Sequence, residues 1–136
     1  MNERYLFRGK RLDDGEWEVG FRLAIDNGRE FIIANGFAYK TSADVDAATH
    51  EINSATIGQC AGRRDKTKTL IFEGDIVNAY GRHCFVRFRA GCWELRSIDG
   101  KLIRYGTSEM LGDCNDEHLK VIGNIHDNPE LMEVTT

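Results

Sequence analysis

The sequence predicts a mainly β fold, a small barrel or two packed β units, on two observations. Apolar residues alternate with polar ones at period two, most clearly from Glu16 to Ile25. Turn signals built on glycine recur at short intervals, as Asp13-Asp14-Gly15, Asp26-Asn27-Gly28 and Asp99-Gly100.

Tyr5 to Arg8 reads as a first strand, with Tyr5 and Phe7 on one face. In the second, Trp17, Val19, Phe21, Leu23 and Ile25 alternate with Glu16, Glu18, Gly20, Arg22 and Ala24, as a half-buried strand requires. Glu30 to Ala34 returns as a third strand after the Asp26-Asn27-Gly28 hairpin. A variable loop is expected at about 35–53. There Ser42 either caps a short helix over Ala43 to Ile52, or the chain stays a surface loop with a helical turn or two. Ser54 to Gln59 is short and extended. Residues 61–69 form a basic connecting loop.

Leu70 to Tyr80 resumes as a strand broken by Gly74, and Asn78-Ala79-Tyr80-Gly81 turns. His83 to Arg89 puts Cys84, Val86 and Phe88 on one face and Phe85, Arg87 and Arg89 on the other. Cys92 to Ile98 follows, with Trp93 and Leu95 on one face. The Asp99-Gly100 turn then leads into a strand over Lys101 to Tyr105. Gly106 to Glu117 reads as loop and Leu119 to Ile125 as the last strand. Asn128 as cap and Pro129 at the first helical position start a short C-terminal helix. Trp17 and Trp93 are expected to anchor the cores of two β units.

Length and composition bound what this chain does. At 136 residues there is room for one compact domain or two small, closely joined units, and 41% apolar residues supply a core. No apolar run approaches the roughly 20 residues a membrane helix needs. The N-terminal Met1 to Lys10 has no hydrophobic signal-peptide centre, so a cytosolic protein is expected. Cys60, Cys84, Cys92 and Cys114 fit free thiols, with no C-x-x-C pair among them. Net charge is −4, but from Arg63 to Arg104 ten bases face five acids, which makes that span +5 and the remainder −9. Such asymmetry suits a polyanion site, self-association of unlike halves, or plain solubility.

Three blocks carry a family resemblance: Phe7 to Arg11 (F-R-G-K-R) with Gly15 to Gly20 (G-E-W-E-V-G); Thr56 to Gln59, Gly62, Asp65-Lys66 and Ile71 to Val77 (I-F-E-G-D-I-V); and Val121 to Leu131 (V-I-G-N-I-H-D-N-P-E-L). On these the chain resembles the YopX family, small proteins mostly encoded by bacteriophages and prophages. The resemblance implies a mostly β fold whose C-terminal part, residues 70–136, is an SH3-like barrel with a short C-terminal helix, after an N-terminal β unit over 1–60. It carries over no enzymatic activity and no catalytic residue, and with the cytosolic expectation above it implies a protein of the bacterial host cell cytoplasm. The chain departs from the family at Thr67-Lys68, where an Asn-Gly turn is usual, and at Cys60-Ala61, where an aromatic and Thr are usual. Residues 38–50 have no counterpart.

The candidate site residues divide into structural and functional readings. Gly62, Asp65, Glu73, Gly74, Asp75, Gly123, Asn124, Asn128 and Pro129 read as turn and bend residues: glycine permits the bend, and Asp or Asn bonds nearby backbone amides. Arg63, Arg64, Lys66, Lys68, Arg87 and Arg89 offer a phosphate-binding face, on which Phe85 would stack a base. Cys84, Cys92 and Cys114 with His83 and His118 match no zinc spacing, and His126-Asp127 has no tied nucleophile. No metal or cofactor is expected. The expected role is a non-enzymatic phage or prophage accessory protein that acts by binding, with self-association as a homo-oligomer. The second reading is a nucleic-acid-binding module. The third, a small enzyme, needs a pocket that joins His126, Asp75 or a thiol to other polar groups.

Overall fold

A computed structural model describes residues 3–36 and 39–133. Two compact units divide the chain, Met1–Cys60 and Ala61–Thr136. Both are antiparallel β structures, and the first also holds a short helix.

In the first unit, β1 (Phe7–Lys10), β2 (Trp17–Ala24), β3 (Glu30–Ala34) and β4 (Thr49–Ile52) are sequential neighbours, and Gly58 and Gln59, which open β5 (Gly58–Arg64), pair with the other side of β1. Turns form at both expected glycine sites, Gly15 and Gly28, each with positive φ. The first strand starts two residues later than its sequence pattern suggests, and it includes Gly9. That glycine is needed for contact, not for a turn: a Cβ on Gly9 would run into Ile52 Cγ2 and come within 3.2 Å of Ile57 Cγ1. Leu6, Ile32, Ala34, Ala48, Ile52 and Cys60 are buried. Trp17 is half-buried, with the Arg8 guanidinium 4.7 Å from its ring centroid.

The segment expected as a variable loop is ordered differently. Residues 37 and 38 lie outside the described residues. Beyond them, α1 (Ser42–Ala48) is capped by Thr41, not by Ser42. Thr41 and Asp44 form a capping box, each bonding the other's backbone amide. The helix stops at Ala48 because Thr49 to Ile52 pairs with β3, from Glu30↔Ile52 to Ile33↔Thr49. Four ladder positions outweigh another helical turn for two β-branched residues. The outer edge of β4 is covered: Arg11 bridges Ile52, Leu12 N donates to Glu51 O, and Asn53 N donates to Lys10 O.

In the second unit the sheet runs β10 (Ser108–Met110), β9 (Cys92–Ser97), β8 (Arg82–Arg89), β7 (Asp75–Ala79), β11 (Leu119–Asn124). β5 runs on to Arg64 and β6 (Leu70–Phe72) starts after Thr69, so residues 61–64 of the expected 61–69 connecting loop are strand. Ile71, Val77, Ala79, Cys84, Val86, Leu95, Ile103, Leu111, Cys114 and Leu119 make one core, with Trp93 packed against it. β10 and β11 remain edges, so the sheet does not close by strand pairing.

The strand expected over Lys101 to Tyr105 is absent, and Glu109 is the reason. Its carboxylate takes the backbone amides of Arg104 (2.7 Å) and Tyr105 (3.1 Å), which a ladder would have used. The next strand starts only at Ser108. At the C-terminus Pro129–Met132 is a single 3-10 turn with proline in its first turn, but Asn128 does not cap it. The Asn128 Oδ1 accepts instead from Asn124 N (3.1 Å).

Candidate functional site

The basic loop is built around one carboxylate. Asp65 is 2% exposed. Its Oδ1 accepts from Thr67 N (2.8 Å), the Thr67 hydroxyl (2.8 Å) and Thr69 N (3.0 Å), and its Oδ2 accepts from Val121 N (2.8 Å). Burial by itself would raise this carboxyl's pKa, but the four hydrogen bonds outweigh it and hold the group below the usual range. Lys68 sits at φ +70°, where an Asn-Gly turn would place its glycine, and Lys68 N donates to Asp65 O (3.0 Å). A lysine in that conformation costs about 1 kcal/mol, which the pinned loop absorbs. Gly62 takes φ +77° within β5.

The expected basic face is not continuous. Arg63 is spent on the fold: its guanidinium donates to Leu111 O, Cys114 O (2.9 Å) and the Asp116 carboxylate. Arg64 Nη1 donates to Lys68 O (2.7 Å). Arg87 pairs across the ladder with Glu94 and lies 5.8 Å from the Phe85 ring centroid. Lys66, Lys68 and Arg89 are exposed. Register separates them further. Lys66 N bonds Leu119 O, Leu119 pairs Ala79, and Ala79 pairs Arg82. Arg89 is seven residues further along β8, roughly 23 Å at ~3.3 Å per residue. The loop lysines and Arg89 therefore occupy opposite ends of the sheet.

The bend residues are consumed locally. Gly74 has φ +89°, and Asp75 Oδ2 accepts from Phe72 N (2.7 Å), which ties β6 to β7 across Glu73-Gly74. Asn124 Oδ1 accepts from His126 N (3.0 Å) and Asp127 N (2.9 Å), so that pair belongs to a turn. A Cβ on Gly123 would stand 2.8 Å from Asn128 Cγ, so only glycine lets Asn128 reach Asn124. Among the described residues no group of three His, Cys, Asp or Glu is placed to hold a metal ion.

Burial pushes the Cys84 thiol up to about 12 and Cys114 up as well. Cys92 is exposed and the other three cysteines are buried. A thiol-reactive chromophore is expected to titrate one cysteine quickly in native protein and all four after denaturation. Loss of the fast phase in Cys92→Ser would assign it.

One groove escapes the sequence reading. Lys66, Asn78, Tyr80, Gly81, Glu117, His118 and Lys120 line a cavity of about 220 Å³. Tyr80 and Gly81 form the β7–β8 hairpin turn, both at positive φ (+53° and +77°). The Tyr80 ring stacks on His118, centroids 4.6 Å apart and planes at 24°. The Arg104 guanidinium carbon lies 4.3 Å from the Tyr80 centroid, and the Tyr80 hydroxyl accepts from Asn115 N (3.2 Å). Glu117 Oε1 accepts from the Asn115 side-chain amide (3.2 Å). Lys66 and Lys120 have no side-chain partner among the described residues. The sequence carried one signal for this groove: an aromatic in a turn position where Asn or Gly is the ordinary choice.

The geometry has relatives. No curated protein matches the sequence. The crystal structure of protein yopX from Bacillus subtilis matches with a TM-score of 0.59 at 18% identity, covering 98% of this chain and 100% of that one. At that identity the likeness is one of fold. The YopX protein family model spans residues 6–133, and the chain therefore belongs to the YopX family.

Proposed function

We propose that the protein acts by binding rather than by catalysis, and that its ligand is anionic. The observation that carries this is the loop pinned by Asp65. Four hydrogen bonds to a buried carboxylate fix the backbone on which Lys66 and Lys68 stand exposed, and Lys120 projects from the neighbouring strand. Preorganised cations suit recognition, since little side-chain and loop ordering remains to oppose it. Asp65 and Asp75 accept backbone amides of their own bends, and His126 and Asp127 lie in the turn held by Asn124. In this reading the protein is a phage or prophage accessory factor in the host cytoplasm, with an SH3-like second unit as its platform.

Self-association belongs to the reading as contact between side-chain faces rather than as strand addition. β11 has Lys66 N on Leu119 O and Asp65 on Val121 N, and β10 is three residues long. Phe88, half exposed beside Trp93, is the kind of apolar surface it would use.

The test is retention on a heparin column at low salt. The wild type is expected to be retained despite its net charge of −4, and to elute as salt screens the contact. Lys66→Gln/Lys68→Gln/Lys120→Gln is expected to elute much earlier, while Arg89→Gln does not change. Flow-through of the wild type, or equal elution of the triple variant, refutes the reading.

A further inference from the structure

On the reading that the ligand is anionic, we infer that the Tyr80–His118 groove binds a single nucleotide unit, its phosphate held by Lys66 and Lys120 and its base laid on His118. Four observations converge on this ligand. The two lysines line one small cavity with Asn78, and neither is spent on an ion pair among the described residues. A buried-to-exposed aromatic series ends there: Tyr80 packs against the core, His118 stacks on Tyr80, and the His118 side chain is 48% exposed. A planar base continues such a stack, whereas a phosphorylated peptide side chain would leave the ring unused. The cavity, about 220 Å³, suits a phosphate with one ring system and not a duplex.

The fourth observation is backbone strain. Tyr80 holds φ +53° in a two-residue turn whose other half is Gly81. Bulky residues leave that region unless something else holds them, and such outliers cluster at ligand sites. Ala90 occupies the same conformation before Gly91, so the fold accepts a small residue in this turn type. At residue 80 the chain instead keeps a ring that packs on the core and engages the Arg104 guanidinium and His118, with its hydroxyl accepting from Asn115 N. Glu117 also lines the groove. Its carboxylate opposes a second phosphate near the lysines and offers an acceptor to a sugar hydroxyl or a base amino group, which favours one phosphate per site.

Backbone amide NMR titration with adenosine monophosphate, inorganic phosphate, adenosine and a short single-stranded oligonucleotide tests this. The monophosphate is expected to move the amides of Lys66, Gly81, His118 and Lys120. Lys66→Gln/Lys120→Gln should weaken it roughly tenfold, the scale of charge-assisted contacts. His118→Ala should weaken it roughly tenfold by removing the stack while leaving inorganic phosphate unchanged. Tyr80→Asn places a favoured turn residue at this hairpin, so the strands persist, and it should weaken the monophosphate as His118→Ala does. Tighter binding of the oligonucleotide than of the mononucleotide identifies a strand as the source, and the reverse identifies a free nucleotide. Amides of the groove left unmoved by every phosphate probe overturn the inference. So does a His118→Ala variant that binds monophosphate as well as the wild type. If heparin retention still depends on the lysines while the groove stays silent, the anionic reading stands and this inference falls.

Discussion

Asp65→Ala is expected to destabilise the second unit by about 3 kcal/mol. Removing the carboxylate strands three backbone amides, of Thr67, Thr69 and Val121, at a site 2% exposed. A buried donor left without its partner costs about 1–3 kcal/mol, less where water reaches it. Thr67 and Thr69 are exposed and rehydrate, so the sum falls short of three full penalties. Asp65→Asn keeps the shape but replaces one acceptor oxygen with a donor, and it should lose somewhat less. The folded-state pKa of Asp65 is lowered, so its contribution is complete above the ordinary carboxyl pKa of about 3.9 and disappears as pH falls through the depressed value. Urea denaturation from pH 7 downward checks both points. The gap between wild type and Asp65→Asn should be full at neutral pH and close at the acid end. A constant gap would show that the charge is not what stabilises the loop.

Gly20→Ala should be at least as damaging to the first unit. Gly20 pairs with Phe7 on one side and Ala34 on the other. A Cβ there would collide with Ile33 O and stand 2.8 Å from Ile33 C and 2.9 Å from Ala34 Cα. All three are backbone atoms of β3, so no rotamer change relieves the clash and the ladder itself must shift. Overpacking costs about 1–3 kcal/mol where side chains adjust, and more where they cannot. Gly28→Ala is the control. Nothing lies within 4 Å of its Cβ, and only the positive φ resists the change, a cost of about 1 kcal/mol. Hydrogen exchange should show β2 and β3 amides unprotected in Gly20→Ala and protected in Gly28→Ala. Protected β2 amides in Gly20→Ala would refute the close-approach argument.

Strand positions were legible because period-two alternation is a local property. Glu30 to Ala34 is β3 to the residue, and His83 to Arg89 lies within β8. Alternation did not say which strand ends are covered: Phe88 shares a face with buried Cys84 and Val86, yet it is 50% exposed. The helix end at Ala48 was not legible either, since β3 (Glu30–Ala34), on the far side of the helix in sequence, decides it through pairing. Lys101 to Tyr105 looks like a strand until Glu109 takes its amides. The basic residues formed a cluster in sequence that the register of β7, β8 and β11 pulls apart. Tyr80 and His118, thirty-eight positions apart, meet in a stack that no spacing rule announces.

By itself the sequence determined the mainly β class, most of the strands, the turns at its glycines and family membership, because alternation, turn chemistry and short motifs act between near neighbours. The tertiary structure alone decided which cations stay available and which polar groups are spent. Hydrogen-bond partners such as Asp65 with Val121, or Arg63 with Leu111, are brought together only when segments distant in sequence fold against one another.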